Sequence, residues 1–161
     1  IRFRRIRDKK SYARAVGDHP EDVVRYAEEF ALMCRSLHAT HVDTSVFECV
    51  KDRYARQLEE NPFFTSAEKD RLSRFIQDAP DTDTAIHGDL QFGNAIFVGE
   101  ERYFIDLGDF CYGYPLFDIG MVYSTAYLSH PDFVREASHM EPETAVRFWL
   151  VCLISSFLLL S

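Results

Sequence analysis

His87, Asp89, Asn94 and Asp106 are the residues of this sequence whose types and spacing can do chemistry together. They fall in one stretch, residues 86–118, which reads IHGDLQFGNAIFVGEERYFIDLGDFCYGYPLFD. A carboxylate at Asp89 can orient and deprotonate an attacking hydroxyl, while the amide oxygen of Asn94 and the carboxylate of Asp106 hold a divalent metal against phosphate oxygens. That is the minimum equipment for moving a phosphoryl group.

For this chemistry the side chains must meet at one edge. Ala85 and Ile86 read as a short strand, Ala95 to Val98 as the next, Gly99-Glu100 as a turn and Tyr103 to Ile105 as the returning strand. Such a β-hairpin aims Asn94 and Asp106 at the same place. Asp106 follows apolar Tyr103-Phe104-Ile105, and a carboxylate at a buried strand end is costly unless paired or metal-bound. The plain alternatives are that Asp89 caps a turn and that Asn94 stabilises its own loop through a side-chain to backbone bond. His87 reads as a hydrogen-bonding brace of the loop rather than as an acid or base, despite its titratable range. Asp109 has three roles open to it: assisting the metal, meeting a substrate amine, or folding the loop. Phe110, Tyr112 and Tyr114 either wall a site for a cationic substrate or pack down a Gly-Pro loop. Asp118 precedes Ile119, Met121, Val122 and Tyr123, the position of a helix N-cap, where it would brace the loop.

The pattern His87-x-Asp89 with Asn94 five residues on, followed by Asp106-Leu107-Gly108, resembles the catalytic core of the kinase-like superfamily. More narrowly it resembles the aminoglycoside phosphotransferase and choline kinase group. Gly88 stands where a protein kinase carries an Arg that reads an activation-loop phosphate, which points away from that regulation and toward small-molecule kinases. Leu37-His38 and Asp118 match the group as well. The resemblance implies an α+β fold, the C-terminal lobe of a protein kinase-like protein, mainly α-helical around a small β-hairpin carrying the catalytic loop. It implies one lobe over residues 1–161, with an N-terminal nucleotide-binding lobe upstream in the same chain. It implies ATP as co-substrate, Mg2+ held by Asn94 and Asp106, Asp89 as catalytic base, and substrate or loop-bracing roles for His87, Asp109, Tyr112 and Asp118. The acceptor would be a small, hydroxyl-bearing molecule such as an aminoglycoside, choline, ethanolamine or a homoserine-like alcohol. Tyr114 stands where relatives commonly carry an Asp before the Pro. No G-x-G-x-x-G or G-x-x-x-x-G-K-[ST] loop is present. That absence keeps open a pseudokinase-like binding module, and a metal-dependent phosphoester hydrolase built on His87, Asp89, Asp106 and Asp109 is a third reading.

Composition sets the bounds. With 161 residues the chain fills one good core. Its 18 basic against 26 acidic residues, a formal net charge of −8, disfavour nucleic acid and anionic membrane as partners and favour a cation. Cys34, Cys49, Cys111 and Cys152 are scattered without C-x-x-C spacing, as reduced buried thiols are, which points to the cytoplasm. The chain opens on Ile1 rather than Met and reads as a fragment.

The remaining elements follow from periodicity and caps. Ile1 to Ile6 suits a short strand at an ordinary edge; the resemblance would set it beside an interlobe hinge. A helix is predicted between Asp18 and Thr40, with Pro20 in its first turn and Val23, Ala27, Phe30, Cys34 and Leu37 on one face. His38 and His41 have H-x-x-H spacing, but no third zinc ligand is fixed nearby; His38 is expected to pack or bond near the catalytic loop. Ser45-x-x-Glu48 and Thr65-x-x-Glu68 both read as capping boxes. The helices they open would turn Phe47, Val50, Tyr54 and Leu58, then Leu72, Phe75 and Ile76, inward. Asp78 to Thr84 is a polar linker without the Gly and Glu of a calcium loop. Pro142 to Leu160 reads as a core helix whose apolar part is shorter than the roughly 20 residues a bilayer requires.

Overall fold

A computed structural model of the chain describes residue 6 and residues 8–157. The strand expected over Ile1 to Ile6 lies outside the described residues except for Ile6, which is irregular, and Leu158 to Leu160 lie outside them as well. The architecture is α+β, mainly helical with a small antiparallel sheet. Strand β1 (Lys10–Ser11) leads into α1 (Tyr12–Asp18), a helix that periodicity did not predict. Ser11 accepts a hydrogen bond from the Arg14 N–H at 3.2 Å and supplies its cap. Gly17 lies so close to the His139 carbonyl that a Cβ would overlap it.

A 3₁₀ turn at Pro20–Asp22 opens into α2 (Val23–His38), whose Val23, Ala27, Phe30 and Cys34 are buried at the expected spacing. Helix α2 packs along α7 (Pro142–Phe157). Phe148 of α7 meets Phe30 at 5.4 Å and Phe92 at 4.7 Å between ring centroids, both edge-on. This triad matters to the site, because Leu90 and Phe92 are both buried and Gln91 between them is left facing outward to the loop. On α7, Ala145, Phe148 and Cys152 are buried while Leu150 and Ile154 are exposed, so the core helix is buried on one face. Among the described residues no helix is long and apolar enough to cross a membrane.

Two expected capping boxes have different outcomes. At Thr65 the box forms: its N–H donates to Glu68 Oε2 at 2.8 Å and its Oγ1 accepts from the Glu68 N–H at 3.3 Å, opening α4 (Ser66–Asp78). At Ser45 it does not. The Asp43 carboxylate accepts from the Ser45 N–H at 2.9 Å and from its hydroxyl at 2.6 Å, and Glu48 is drawn to Arg53 and Arg56 at 3.1 and 2.6 Å. Helix α3 (Val50–Glu60) therefore begins later, with Cys49 at its N-cap. Val50 and Leu58 face inward as expected, but Phe47, Leu72 and Phe75 do not; Phe75 is 70% exposed, and no residue of α4 is buried.

Strand β2 (Ala85–Ile86) pairs with β5 (Cys111–Tyr112), and β3 (Ala95–Val98) forms a hairpin with β4 (Glu101–Phe104) around a positive-φ Gly99. The return strand starts two residues earlier than expected. β1 pairs on the far side of β3, in the order β1-β3-β4, and Lys10 is half-buried and ion-paired with Asp18 at 3.0 Å. Helix α5 (Leu116–Tyr123), a π-helical turn at Ser124–Leu128 and α6 (Pro131–Ser138) complete the chain before α7.

Candidate active site

The segment after β2 takes its shape from one buried carboxylate. Asp118 is fully buried; its Oδ2 accepts from the His87 N–H at 2.8 Å and its Oδ1 from the Gly88 N–H at 3.0 Å. His38 Nε2, from the end of α2, reaches Asp118 Oδ2 at 3.0 Å. A buried carboxylate is costly unless it is paired, and these three partners satisfy it. Asp118 is not the helix N-cap expected of it. Pro115 holds that position, and the Pro115 carbonyl already accepts from the Asp118 N–H at 3.1 Å, which leaves the side chain free to reach the loop.

Gly88 has φ +85°, a conformation that L side chains rarely adopt. A Cβ there would overlap the backbone carbonyl of Asp109. The absence of an Arg at this position thus has a steric reason: the loop after β4 lies directly on Gly88.

His87 is buried, with Nε2 at 3.0 Å from the Ile105 carbonyl and Nδ1 at 3.3 Å from the Asp89 N–H. One ring nitrogen donates and the other accepts, the pattern of a neutral imidazole with its proton on Nε2. The ring ties the Asp89 segment to the end of β4 and has no nitrogen left for a metal.

The Asp89 carboxylate is half-buried and held by two amides. Gln91 Nε2 donates to Oδ1 at 3.1 Å and to Oδ2 at 3.0 Å, and Asn94 Nδ2 donates to Oδ2 at 3.1 Å. An ionised carboxylate accepts at about four lone-pair positions, so these three bonds leave an acceptor position on Oδ1. Asn94 Nδ2 also donates to the Asp89 carbonyl at 2.9 Å, while its Oδ1 bonds to no described residue. The loop-stabilising role of Asn94 and a free amide oxygen therefore coexist. Gln91 was not singled out from the sequence; its one signal is its polarity between two buried apolar neighbours.

The Ile105 N–H donates to the Asn94 carbonyl at 2.9 Å, which sets Asp106 next to Asn94 across the end of the hairpin. Asp106 is exposed rather than buried, and its backbone is left-handed at φ 61° and ψ 53°. Burial does not call for a metal at this carboxylate, since the chain turns outward as soon as β4 ends. What remains is an accessible carboxylate, bonded to no described residue, on a backbone conformation uncommon outside Gly and found at constrained sites. Asn94 Oδ1 and Asp106 offer oxygen donors of the kind magnesium takes, one or two from protein and the rest from phosphates and water. Among the described residues no group of three or more His, Cys, Asp or Glu is placed to hold a metal.

Asp109 is exposed, and Arg53 of α3 donates to its backbone carbonyl and lies 3.7 Å from its Oδ1. Of its three roles, the contact present is loop folding. Arg53 is a second residue missed in the sequence, 56 positions away from its partner. The aromatic residues do not form one wall. Phe110 packs edge-on to Phe47 at 4.9 Å, Tyr112 pairs with Ala85 in β5, and Tyr114 lines a separate cavity. Burial, and then Cys49 beside it, pushes the Tyr112 hydroxyl up. His38 and His41 do not form a zinc pair: His41 Nδ1 bonds to Asp83 Oδ1 at 2.6 Å, away from His38 and Asp118. A family model described as the phosphotransferase enzyme family, APH, matches residues 3–142 of the chain. No curated protein matches the sequence.

Proposed function

Because the chain belongs to the APH phosphotransferase enzyme family, we propose that it forms the C-terminal lobe of an ATP-dependent small-molecule kinase. The observation that carries this reading is the Asp89 carboxylate, fixed by Gln91 and Asn94 yet retaining a free acceptor position on Oδ1. The acceptor hydroxyl donates to that position. Its oxygen bonds to the γ-phosphorus as the bond from that phosphorus to the β,γ-bridging oxygen breaks, and its proton passes to Asp89. In a loose transition state, orientation contributes more than base strength, which suits a carboxylate held rigid by two amides. Asn94 Oδ1 and Asp106 are the residues that would hold magnesium, whose positive charge would offset the charge that develops on the leaving group. His87 and Asp118 hold the loop and do no chemistry. A nucleotide-binding lobe elsewhere in the protein is part of the reading, as is an acceptor drawn from amino alcohols and aminoglycosides.

The test is ADP release from Mg-ATP by the complete gene product, with a panel of those acceptors, comparing wild type with Asp89→Asn. Acceptor-dependent release that falls by about 10²–10⁴-fold in the variant is expected. Silence across the panel, with no Mg-ATP binding by calorimetry, overturns the proposal. A second reading, a binding module that keeps the fold without the chemistry, draws on the Gln91 amide, which spans both Asp89 oxygens; that silence is the outcome it requires.

A further inference from the structure

Helices α3, α4 and α5 enclose a cavity of about 510 Å³ that none of Asp89, Gln91, Asn94 and Asp106 lines. Four aromatic rings surround it: Tyr54, Phe75, Tyr114 and Phe117. Tyr54 and Phe117 stack on one another at 5.4 Å between centroids, which fixes one wall, and Phe75 stands well out of α4 to form the opposite lip. The volume is that of a pocket for a small organic molecule.

Asp78 is the one acidic or basic residue in the lining, and its carboxylate forms no hydrogen bond or ion pair with any described residue. As the last residue of α4, it adds its charge to the negative end of a helix whose last turn contains no basic residue. Lys51 Nζ donates to the Gln77 carbonyl at 3.0 Å and to Asp81 at 2.7 Å, and Arg74 Nε donates to the Asp70 carbonyl at 3.2 Å, so neither bonds to the Asp78 carboxylate. The cavity thus combines aromatic faces, which attract cations through their quadrupoles, with a carboxylate at its edge that is ion-paired to no described residue.

We propose that this cavity is a binding site for an organic monocation with an apolar body, an alkyl- or arylammonium, separate from the Asp89 site. The aromatic rings receive the ammonium methyl or methylene groups, and Asp78 supplies the counter-charge. Phe117 immediately precedes Asp118, so the ligand touches the same helical turn that anchors His87 and Gly88. The proposal stands independently of the phosphotransfer reading.

Benzyltrimethylammonium and its uncharged isostere neopentylbenzene separate charge recognition from simple apolar burial. Ligand-observed NMR titration of the full chain is expected to show the cation binding about fivefold or more tightly than the isostere, and losing about fivefold in Asp78→Asn and in Phe75→Ala. Both substitutions fall on exposed side chains, so the fold is kept, as circular dichroism verifies. Asp89→Asn is expected to leave binding unchanged. Equal affinity for the two probes, no binding of the cation at millimolar concentration, or a loss in Asp89→Asn with none in Asp78→Asn each overturns the proposal.

Discussion

Gly88 is a single residue on which two requirements fall. It needs a left-handed backbone and must admit the Asp109 carbonyl at its α-carbon. Gly88→Ala is expected to cost about 1–3 kcal/mol from backbone strain alone, with more from the overlap, and to shift Asp89; urea denaturation measures the first and ADP release by the complete protein the second. Asp118→Ala leaves the buried His87 N–H, the Gly88 N–H and His38 without their acceptor, and removing one side of such a cluster around a buried carboxylate costs about 3–5 kcal/mol. A thermal melt unchanged from wild type would refute it. Residue-scale contacts were partly legible. His87, Asp89 and Asn94 stand at a spacing that pointed to one another, and the structure places them on one bonded loop. Gln91 escaped because its bond depends on a side chain folding back two positions, and Arg53 because its partner is far along the chain. Asp106 follows the end of β4, but its expected burial was wrong, because apolar neighbours before a residue say nothing about where the chain turns after it.

Elements were legible where a periodic face met its partner. Helix α2 shows this: its stripe of buried residues is the surface that α7 covers. Phe148→Ala is expected to lower stability by about 3–5 kcal/mol, since it removes the ring shared by Phe30 and Phe92. A shift in urea midpoint of less than a third of that would count against the triad as the seam of α2 and α7. Helix α4 had an equally good stripe, but α3, which packs against it, leaves Leu72 and Phe75 exposed, so amphipathicity marked a face without saying how much of it is covered. The start of α3 was misplaced because Asp43 competes for Ser45 and two arginines compete for Glu48. Those arginines, Arg56 foremost, hold the Glu48 carboxyl below its ordinary range. A depressed folded value means stabilisation that is fully present above the unfolded value of about 4.3 and lost as pH falls through the folded one. Glu48→Gln should therefore melt lower than wild type at pH 7 and converge with it below pH 4, as melts across that range will show.

At the scale of the whole molecule, the cysteines report on packing. All four are free thiols; burial raises Cys111 to about 11 and Cys34 well above its usual range, while Cys49 is only half-buried. Iodoacetamide at pH 8 is expected to label Cys49 first in the native protein and all four together only in denaturant, as mass spectrometry resolves; early labelling of Cys111 would contradict the core described. Length and charge were informative about size and polarity at this scale, yet they could not show that residues far apart in sequence close on one carboxylate. Asp118 meets His87 across 31 positions and His38 across 80. Such closures are entropically costly and late. The loop around Asp89 therefore acquires its shape only after α2 and α5 have docked. A chain emerging from the ribosome that has not yet presented α5 contains every residue of the pattern His87 to Asn94 but lacks the Asp118 carboxylate that anchors its first two, so the setting of Asp89 waits on residues that follow it.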